Sequence, residues 1–464
     1  MMKKYIWLMA CLVALSPLSA NAAKKQAKNK KAKTELWPDG TKMDAWFGNI
    51  QKVNVDTLGK KYVITDYGVK GDSTLIQTQA IQAVIDRASQ EGGGVIVIPQ
   101  GTYQSGALFF RPKTHLYVSE GGKLKGSDRI ANFPVLETRI EGETCKYFSA
   151  FINADKCDGF TIAGPGTIDG NGHHYWEEFW IRRTWNRQCT NKDAQRPRLV
   201  YICNSKNVTL QDVHIQNSPF WTNHIYRCDH VRFLDCHIFA PTQGIKAPSS
   251  DAIDIDVCHD VLVNSCYMSV NDDAIAIKGG KGTWADKAPE NGPVYNVLIQ
   301  NCHYGTVHGC LTLGSESLND RNIVLRNIKV DKAQRVLWLK MRPDTPQHYE
   351  YVTVDNIQGT TGSFLVIRPW TQFFKPGDRK DMPLSQCNNI TMKNIQMDCD
   401  NFFDVGTSDK YRLVDFTFEK ITCTDKKMAF KTDVIENTVA KNVKITPRNK
   451  SNGLKTTGDA DGLK

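Results

Sequence analysis

The sequence predicts a solenoid of parallel β-sheets, in which short strands stack coil upon coil along one axis. Two observations favour this fold class. Short stretches that alternate apolar and polar residues dominate the second half of the chain, and Asn or Asp residues interrupt them every few positions. One such unit recurs at intervals of 23 to 38 residues from about residue 205 onward. Recurrence of this kind is typical of solenoids, whose coils bury one continuous core.

Each unit begins near an Asn or Asp, continues as a short strand and turns at a second Asn or Asp, as in "CDHVRFLDCHIFAP". One apolar position in each unit serves as an anchor, and we expect the anchors to stack in successive coils. They are Val208, Val231, Val261, Val297, Ile323, Val352 and Ile390. Loops inserted at the corners would take up the unequal spacing and build a binding groove. A sandwich or a propeller would use more hairpin turns.

The segment before residue 205 opens with a different pattern. "TLIQTQAIQAVIDRASQEGGG", residues 74–94, carries apolar residues at helical spacing and ends in glycines. It predicts a helix that caps the open N-terminal end of the solenoid, where unpaired strand edges would otherwise be exposed. The class is therefore all-β with one N-terminal capping helix.

The N-terminus has the pattern of a secretory signal. "MMKK" is basic, "YIWLMACLVAL" is apolar but short for a membrane span, and Ala20-Asn21-Ala22 fits a cleavage site. We expect a periplasmic or secreted protein cleaved near Ala22, with lipidation at Cys11 as an open alternative. The predicted organisation is a signal peptide at 1–22, a basic tether and N-terminal extension at 23–57, a single β-helix catalytic domain at 58–450 and a flexible C-terminal tail at 451–464.

The net charge of +10 lies mostly outside the predicted domain. Lys3 and Lys4 belong to the signal, and six lysines fall in residues 24–33, so the body of the chain is close to neutral. Such a distribution argues against nucleic acid as a partner. No later segment is apolar enough to cross a membrane, and we expect a monomer.

Cysteine usage favours buried thiols over a disulfide framework. Thirteen cysteines remain after Cys11, and they show no C-x-x-C spacing. Many stand in apolar strands, as in "LVNSCYM". One or two bridges remain an alternative. We expect neither a structural metal nor a cofactor.

Two adjacent carboxylates, Asp272 and Asp273, stand before an apolar strand in "SVNDDAIAIKGG". Neighbouring side chains of a strand face opposite sides, so the pair cannot both be buried in a core. Asp251 precedes Asp273 by 22 residues, about one short coil, which would stack the two at a spacing of roughly 4.8 Å. His308 and Lys340 would follow on the next coils. Each residue alone is more often explained by turn chemistry, a structural role or solvation, and only their shared alignment indicates a site.

These residues also carry a family resemblance. The chain resembles the family 28 glycoside hydrolases, the polygalacturonase group, which share a right-handed parallel β-helix of the pectin-lyase type. Its entry coils look like "DYGVKGD", "GGGVIVIPQGTYQSGAL" and "GPGTIDGNG" here. The family's Asn-Thr-Asp, Asp-Asp, His-Gly and Arg-x-Lys pieces appear in order as Ser249-Ser250-Asp251, Asp272-Asp273, His308-Gly309 and Trp338-Leu339-Lys340.

The resemblance implies inverting hydrolysis of α-linked galacturonides in pectic oligosaccharides or polysaccharides, including rhamnogalacturonan fragments. Asp272 is then the general acid, and Asp251 with Asp273 activates the water. Inverting enzymes usually hold acid and base roughly 6.5–9.5 Å apart. His308 would tune the acid, and Lys340 would bind the substrate carboxylate.

Departures from the family pattern concern the substrate more than the reaction. Ser249 and Ser250 replace Asn and Thr, and Trp338 stands where the family has Arg. Arg342 lies two residues after Lys340 and should share its strand face. The expected substrate contacts are Lys340, Arg342, Trp338, Arg368, Arg182 and Arg198.

A Trp- and Arg-rich insertion at residues 173–200 is expected to wall the groove at the end that holds the non-reducing sugar. An exo-acting enzyme that releases monosaccharide would result; packing of the insertion away from the groove is the alternative. Two other functions stay open. A calcium-dependent pectate lyase would share the fold, and a non-catalytic carbohydrate-binding β-helix would keep the aromatic contacts without aligned carboxylates.

Overall fold

The computed structural model describes residues 34–372 and 377–448. The predicted signal peptide, Cys11, the lysine-rich run and the C-terminal tail lie outside these residues. Among the described residues, no helix combines the length and the apolar character that a membrane crossing requires.

The described residues form two α-helices and twenty-eight strands. The helices are α1 (Thr78–Gln90) and α2 (His173–Trp185). The strands are β1 (Lys61–Val63), β2 (Gly94–Ile98), β3 (Gly101–Ser105), β4 (Leu108–Phe110), β5 (Thr114–Val118), β6 (Gly122–Gly126), β7 (Val135–Ile140), β8 (Glu143–Phe148), β9 (Ile152–Asp155), β10 (Thr161–Ala163), β11 (Thr167–Asp169), β12 (Val200–Cys203), β13 (Thr209–Gln211), β14 (His214–Gln216), β15 (Asn223–Tyr226), β16 (Asp229–Leu234), β17 (His237–Phe239), β18 (Ile253–Asp256), β19 (His259–Asn264), β20 (Tyr267–Ser269), β21 (Ile275–Lys278), β22 (Val294–Gln300), β23 (His303–Leu313), β24 (Asn319–Met341), β25 (His348–Pro369), β26 (Ser385–Val405), β27 (Tyr411–Asp425) and β28 (Glu436–Pro447).

All strands except β7 and β8 pair in parallel with strands of neighbouring coils, as a solenoid requires. The predicted anchors stack directly. Val231 lies opposite Val261, Val261 opposite Val297 and Val297 opposite Ile323. The column continues through Val352 to Ile390, and all of these side chains are buried. The predicted repeat is therefore confirmed residue by residue.

The Asn and Asp residues at the corners adopt the left-handed backbone conformation that a tight turn between two strands needs. Asn301, Asn327 and Asn356 all have φ near +56°, a region in which Asn is enriched among residues other than glycine. Their side-chain amides also bond from coil to coil. Nδ2 of Asn301 donates to Asn264 at 2.9 Å, and Nδ2 of Asn327 donates to Asn301 at 3.1 Å. Stacked asparagines thus shape the corner and hold adjacent coils together.

Helix α1 closes the N-terminal end of the solenoid, as the sequence predicts. Ile81, Val84, Ile85 and Ala88 are buried in the main core, and the helix packs on β2, β3, β4 and β5. Its apolar residues recur at the i, i+3, i+4, i+7 spacing of one helical face.

The extension that precedes β1 is packed on the solenoid from Trp37 onward. Trp37, Met43 and Phe47 contact a second apolar cluster that contains Leu262 and Leu298. Those leucines face outward from adjacent coils, so the extension covers apolar surface that would otherwise meet water.

The thirteen cysteines of the described residues carry free thiols, and twelve of them are buried. The expectation of buried thiols is confirmed. Several occupy equivalent positions in successive coils, where the repeat places small apolar side chains in the core.

Candidate active site

Three aspartates meet at the start of two neighbouring strands. Ile253 of β18 lies opposite Ile275 of β21, which places Asp251 and Asp273 at equivalent positions of adjacent coils. The backbone N–H of Asp273 donates to Oδ1 of Asp251 and to Oδ1 of Asp272, each at 3.1 Å. The structure thus brings together the three carboxylates that the 22-residue spacing aligns.

One oxygen of Asp251 and one oxygen of Asp272 lie close together. Each Oδ1 is 3.1 Å from the same nitrogen, that of Asp273, so the two oxygens are separated by at most twice that distance. The reason is the solenoid itself, since residues on adjacent coils follow the strand spacing of about 4.8 Å.

The three carboxyl groups differ in exposure and in charge. The Asp272 side chain is 31% exposed, whereas Asp251 and Asp273 are buried. Burial and the neighbouring charges of Asp272 and Asp254 raise the pKa of Asp251. Burial acts on Asp273 in the same sense, but Lys340 and His308 hold the pKa of that carboxyl below its usual value. The cluster therefore retains a proton while Asp273 is ionised.

His308 lies beside the two adjacent aspartates. Its backbone N–H donates to the Asp272 carbonyl at 3.0 Å, so the two residues occupy equivalent positions of adjacent coils. Nδ1 of its ring is 3.6 Å from Oδ1 of Asp272 and 3.7 Å from Oδ1 of Asp273. Its other nitrogen, Nε2, is 2.7 Å from Nη1 of Arg335. Sequence reasoning did not predict Arg335 at the site.

Gly309 supports Asp273 by leaving space. A Cβ atom at this position would lie 2.3 Å from Oδ1 of Asp273 and 2.4 Å from Oγ1 of Thr312. The His-Gly pair of the motif thus has a steric basis, because the carboxylate of Asp273 fills the place of a side chain.

Lys340 reaches the cluster from the far end of β24. Its Nζ is 3.3 Å from Oδ2 of Asp273 and lies over the rings of Trp338 and Trp370, 4.0 and 4.9 Å from their centroids. Lys340 pairs with Arg368 of the next strand. Cation–π contacts of this kind hold an ammonium in place without neutralising it.

The surroundings of Asp272, Asp273 and His308 do not suit a metal ion in addition to the ammonium of Lys340. Donor atoms of Asp272, Asp273 and His308 lie within 4.8 Å of one another, the one such group in the described part of the chain. However, Lys340 already pairs with Asp273, and Arg335 occupies Nε2 of His308. The contacts of Lys340 and Arg335 therefore leave little room for a metal ion beside Asp273 and Nε2 of His308.

A buried group behind the cluster was also missed by sequence reasoning. Asp254 points outward from β18 but is fully buried, and neither carboxylate oxygen has a hydrogen-bond partner. Lys278 stands on the neighbouring coil, 3.7 Å from Asp254 and 3.1 Å from Oε2 of Glu316. Burial raises the pKa of Asp254 to about 8, partly offset by Lys278. Period-2 alternation along "DAIDID" and "DAIAIK" would have placed Asp254 and Lys278 on one face.

Replacement of Asp254 should make the protein less sensitive to alkaline pH. Because the folded-state pKa of about 8 exceeds the ordinary value of 3.8, the folded state binds more protons between these values and stability falls as pH rises. An Asp254→Asn variant should therefore melt at or above the parent's Tm at pH 8, with the difference vanishing near pH 4. Lys278 keeps Glu316 as its partner. Thermal melts of the parent and the variant between pH 4 and pH 8 measure this difference in Tm.

Asp256→Asn is the matched control. It removes a carboxyl group from the same strand, but it changes the pH dependence of stability in the opposite direction. Burial alone would raise the pKa of Asp256, but Arg139 and His224 hold it below the usual value. The stability that the ionised Asp256 contributes to the folded protein is present above the ordinary pKa of aspartate and is lost as the pH falls. The Asp256→Asn variant should melt below the parent at neutral pH; a lower Tm at pH 8 for Asp254→Asn as well would contradict the assignment.

Four arginines that were expected to contact the substrate bind other groups of the protein. They are Arg342, Arg182, Arg368 and Arg198. Arg342 follows the end of β24 and binds the carboxylate of Asp344 through Nε and Nη2, both at 2.7 Å. Arg182 donates to a backbone carbonyl within its own insertion. Arg368 stays on the groove face beside Lys340 but pairs with Asp404.

Arg198 is buried and anchors a hairpin. Nη2 donates to Oγ1 of Thr138 at 2.6 Å, and Nη1 donates to the Arg139 carbonyl at 2.8 Å. Both residues belong to β7, which pairs with β8 in antiparallel fashion. Arg139 in turn pairs with Asp256 at 3.0 Å, with both side chains buried. The hairpin is thus fixed by Arg198 and by Asp256 of β18, the strand that follows Asp251.

The hairpin and the insertion at residues 173–200 form one wall beside the site. Asn191 of the insertion donates to Glu141 at the hairpin tip and accepts from Oγ of Ser249, which lies two residues before Asp251. Lys281 lies 3.7 Å from Glu141. The insertion also packs on the solenoid, where the indole of Trp176 donates to the Ser218 carbonyl.

An aromatic cluster fills the space behind this wall. Ile140, Tyr147, Phe220 and Trp221 are buried together. Trp221 occupies the position equivalent to Asp251 in the preceding coil, because Asn223 lies opposite Ile253. The groove face therefore changes from aromatic and buried to acidic at the coil of Asp251.

A comparison with known protein families identifies the family of this chain. The model of the glycosyl hydrolases family 28 matches residues 98–340, more than half of the chain. The chain belongs to glycosyl hydrolase family 28. A second model, described as rhamnogalacturonase A/epimerase, pectate lyase-like, matches residues 62–117. The family 28 match contains every carboxylate of the cluster.

Relatives of this family 28 protein are polygalacturonases by name. A probable polygalacturonase from Vitis vinifera is 24% identical over 226 residues, 47% of this chain and 44% of that protein. An endo-polygalacturonase from Pectobacterium parmentieri is 27% identical over 285 residues, 59% of this chain and 66% of that protein. The chain thus spans less than two thirds of either relative's length.

Among solved structures, an exopolygalacturonase from Thermotoga maritima matches with a TM-score of 0.64 at 18% identity, covering 86% of this chain and 95% of that one. This confirms the right-handed parallel β-helix of the pectin-lyase type. At this identity the likeness concerns the fold alone.

Proposed function

We propose that this family 28 hydrolase cleaves α-glycosidic bonds of galacturonic acid from the ends of pectic oligosaccharides or polysaccharides. The observation that carries the proposal is the cluster of Asp251, Asp272 and Asp273 at the edge of a walled groove. Two carboxyl groups, one able to give a proton and one able to take it, are what glycoside hydrolysis requires.

Asp272 is assigned as the general acid, because it is the carboxyl of the three that reaches the open groove and lies beside His308. It gives its proton to the leaving oxygen as the bond breaks. Asp251 and Asp273 hold the attacking water, and the ionised Asp273 receives its proton. Since the ionised Asp273 is fixed by Lys340, the water has an oriented acceptor, and attack opposite the leaving group inverts the anomeric centre.

Lys340 and Trp338 are assigned to the sugar on the far side of the scissile bond. The ammonium is held over two indole rings, and its charge suits a uronate carboxylate. Trp370, which is half-buried, offers an apolar face to a sugar ring, and the buried Trp338 holds Lys340 in place. Rhamnogalacturonan fragments with a uronate at this position would also fit.

The wall supports chain-end cleavage. Glu141, Asn191 and Ser249 connect the hairpin, the insertion and the loop before Asp251, and Trp221 is buried directly before Asp251. A wall at this position would stop a polymer, and the sugar next to it would then be a terminal one. We assign the non-reducing end to this side, with monosaccharide as the product.

Two alternatives are less well supported by the geometry. A calcium-dependent lyase would need carboxylates free for a cation, whereas Asp273 here pairs with Lys340 and His308 accepts from Arg335. A non-catalytic binding module would gain nothing from burying Asp251 and Asp273 together, because like charges in a buried site cost free energy.

We further propose export to the periplasm or the extracellular space, where pectic polysaccharides are met, with the chain acting as a monomer. The signal-like leader on which export depends lies outside the described residues.

A time course on polygalacturonan and short oligogalacturonides tests the function. We expect steady release of monosaccharide with little loss of viscosity, and proton NMR of the first product should show the β-anomer from an α-linked galacturonide. A chelator should leave the rate unchanged. A rapid viscosity drop with a ladder of oligomers would contradict the exo mode, an initial α-anomer would contradict inversion, and an unsaturated product would indicate a lyase.

A further inference from the structure

Arg335 lies against the imidazole of His308 in a way that fixes the chemistry of the ring. Nη1 of Arg335 is 2.7 Å from Nε2 of His308. A guanidinium has hydrogens to donate but no lone pair to accept with, and it stays charged at all working pH values. The contact is therefore a hydrogen bond from Arg335 to an unprotonated Nε2.

An unprotonated Nε2 leaves one arrangement for the ring. His308 must be neutral and must carry its proton on Nδ1. A proton on Nε2 would place an N–H donor of the ring against an N–H donor of the guanidinium. Nδ1 is the atom that faces Asp272 and Asp273, at 3.6 and 3.7 Å from their Oδ1 atoms. Both distances exceed a normal hydrogen bond, as is common for catalytic groups without substrate.

We propose that Arg335 is a positioning residue that holds His308 in its neutral, Nδ1-protonated form. This inference rests on the proposed roles of Asp272 and His308. A neutral ring can donate one hydrogen bond to the Asp272 carboxylate that forms once the proton has left. An imidazolium would instead stabilise that carboxylate before the reaction, and Asp272 would lose the proton it must deliver.

The position of Arg335 is itself fixed by Trp338. The guanidinium carbon lies 4.0 Å from the centroid of the indole, and Nζ of Lys340 lies 4.0 Å from the same centroid. The indole of Trp338 thus contacts both cations. This gives a structural reason for an indole where the family pattern has Arg. Among the described residues, Asp272, Asp273 and Arg335 are the charged groups that contact the His308 ring, and Lys340 reaches the same site through Asp273 and Trp338.

Kinetics of Arg335→Ala and Arg335→Lys test the proposal on oligogalacturonides. Loss of a hydrogen bond that orients a proton-transfer group should lower kcat of Arg335→Ala by roughly 10- to 100-fold with KM within about threefold. The acidic limb of its kcat profile should move to higher pH, because His308 can then gain a second proton. Arg335→Lys should recover most of kcat. Arg326→Gln, on the same strand but bonded to Gln300, is the control and should match the parent.

A different pattern would overturn the inference. A raised KM with kcat retained would make Arg335 a substrate contact, and an unmoved pH profile would mean that it does not govern the protonation of His308. Loss of activity with a matching loss of Tm in both variants would indicate a structural role.

Nitrogen-15 NMR of the folded protein labelled at histidine gives a readout that needs no substrate. The signal absent from a His308→Gln variant should show a protonated Nδ1 and an unprotonated Nε2 near pH 7 in the parent, and a changed state in Arg335→Ala. A protonated Nε2 in the parent would refute the proposal. If the tautomer is as expected but no galacturonide is cleaved, the proposed function fails and the tautomer assignment stands.

Discussion

The Asp272→Asn variant is expected to lose nearly all turnover while it still folds and binds substrate. The amide removes the transferable proton, and general-acid catalysis is worth about 10²- to 10⁴-fold. The shape is preserved, because Oδ1 of an asparagine can still accept from the backbone N–H of Asp273, as the carboxylate does at 3.1 Å. Initial rates on an oligogalacturonide, with calorimetric titration of the same ligand, measure the two effects separately.

Asp331→Asn is a suitable control for this loss. Asp331 is also a partly exposed carboxylate beside a histidine, 2.8 Å from Nε2 of His303. If the effect is specific to proton donation, the control keeps the parent's activity. Turnover of Asp272→Asn within tenfold of the parent would remove Asp272 from the role of acid.

The solenoid could be predicted from the sequence because its signals are local. Alternation with period 2 marks each strand, and the corner asparagines mark each turn by their tolerance of the left-handed conformation. Anchors such as Val261 and Val297 could be aligned without knowledge of the loops between them. The loops carry the variation in length, and they do not alter the stacking.

The register of the site was predictable only across short coils. The 22 residues from Asp251 to Asp273 allow one alignment, and the structure has it. Beyond His308 the strands are long and bend around corners, so spacing no longer fixes position. Lys340 lies opposite Arg368, not in line with His308, and it reaches Asp273 through the length of its side chain. Arg335 was missed for the same reason.

The hairpin of β7 and β8 could have been found from a two-residue turn. Glu141 and Gly142 have φ of 49° and 74°, as a tight hairpin turn requires at both central positions. In the sequence, "VLETRIEGETCKYF" presents two strand-like stretches around Glu-Gly. No local pattern reveals that Arg139 and Arg198 anchor the hairpin, because the anchoring contacts join residues that are far apart along the chain.

A single methyl group at Gly309 is expected to abolish most activity. Gly309 lies in β23 with an ordinary strand backbone, so alanine meets no conformational penalty there. Its Cβ would instead lie 2.3 Å from Oδ1 of Asp273 and 2.4 Å from Oγ1 of Thr312. Asp273 is buried and tied to Lys340, so the carboxylate must rotate away from its observed position and from the water that we propose it orients. Displacement of a catalytic group by about 1 Å can cost about 100-fold, and we expect Gly309→Ala to lose at least that in kcat.

Gly305→Ala separates this effect from general overpacking. Gly305 lies in the same strand, and its Cβ would meet the Tyr267 hydroxyl at 2.5 Å and the Ser269 side chain at 3.0 Å, away from the carboxylates. Both variants should lose stability by about 1–3 kcal/mol, the usual cost of overpacking. Only Gly309→Ala should lose catalysis at a temperature where both remain folded. Equal activity of the two variants would show that Asp273 does not need its observed position, and the assignment of the water-activating pair would then rest on Asp251 alone.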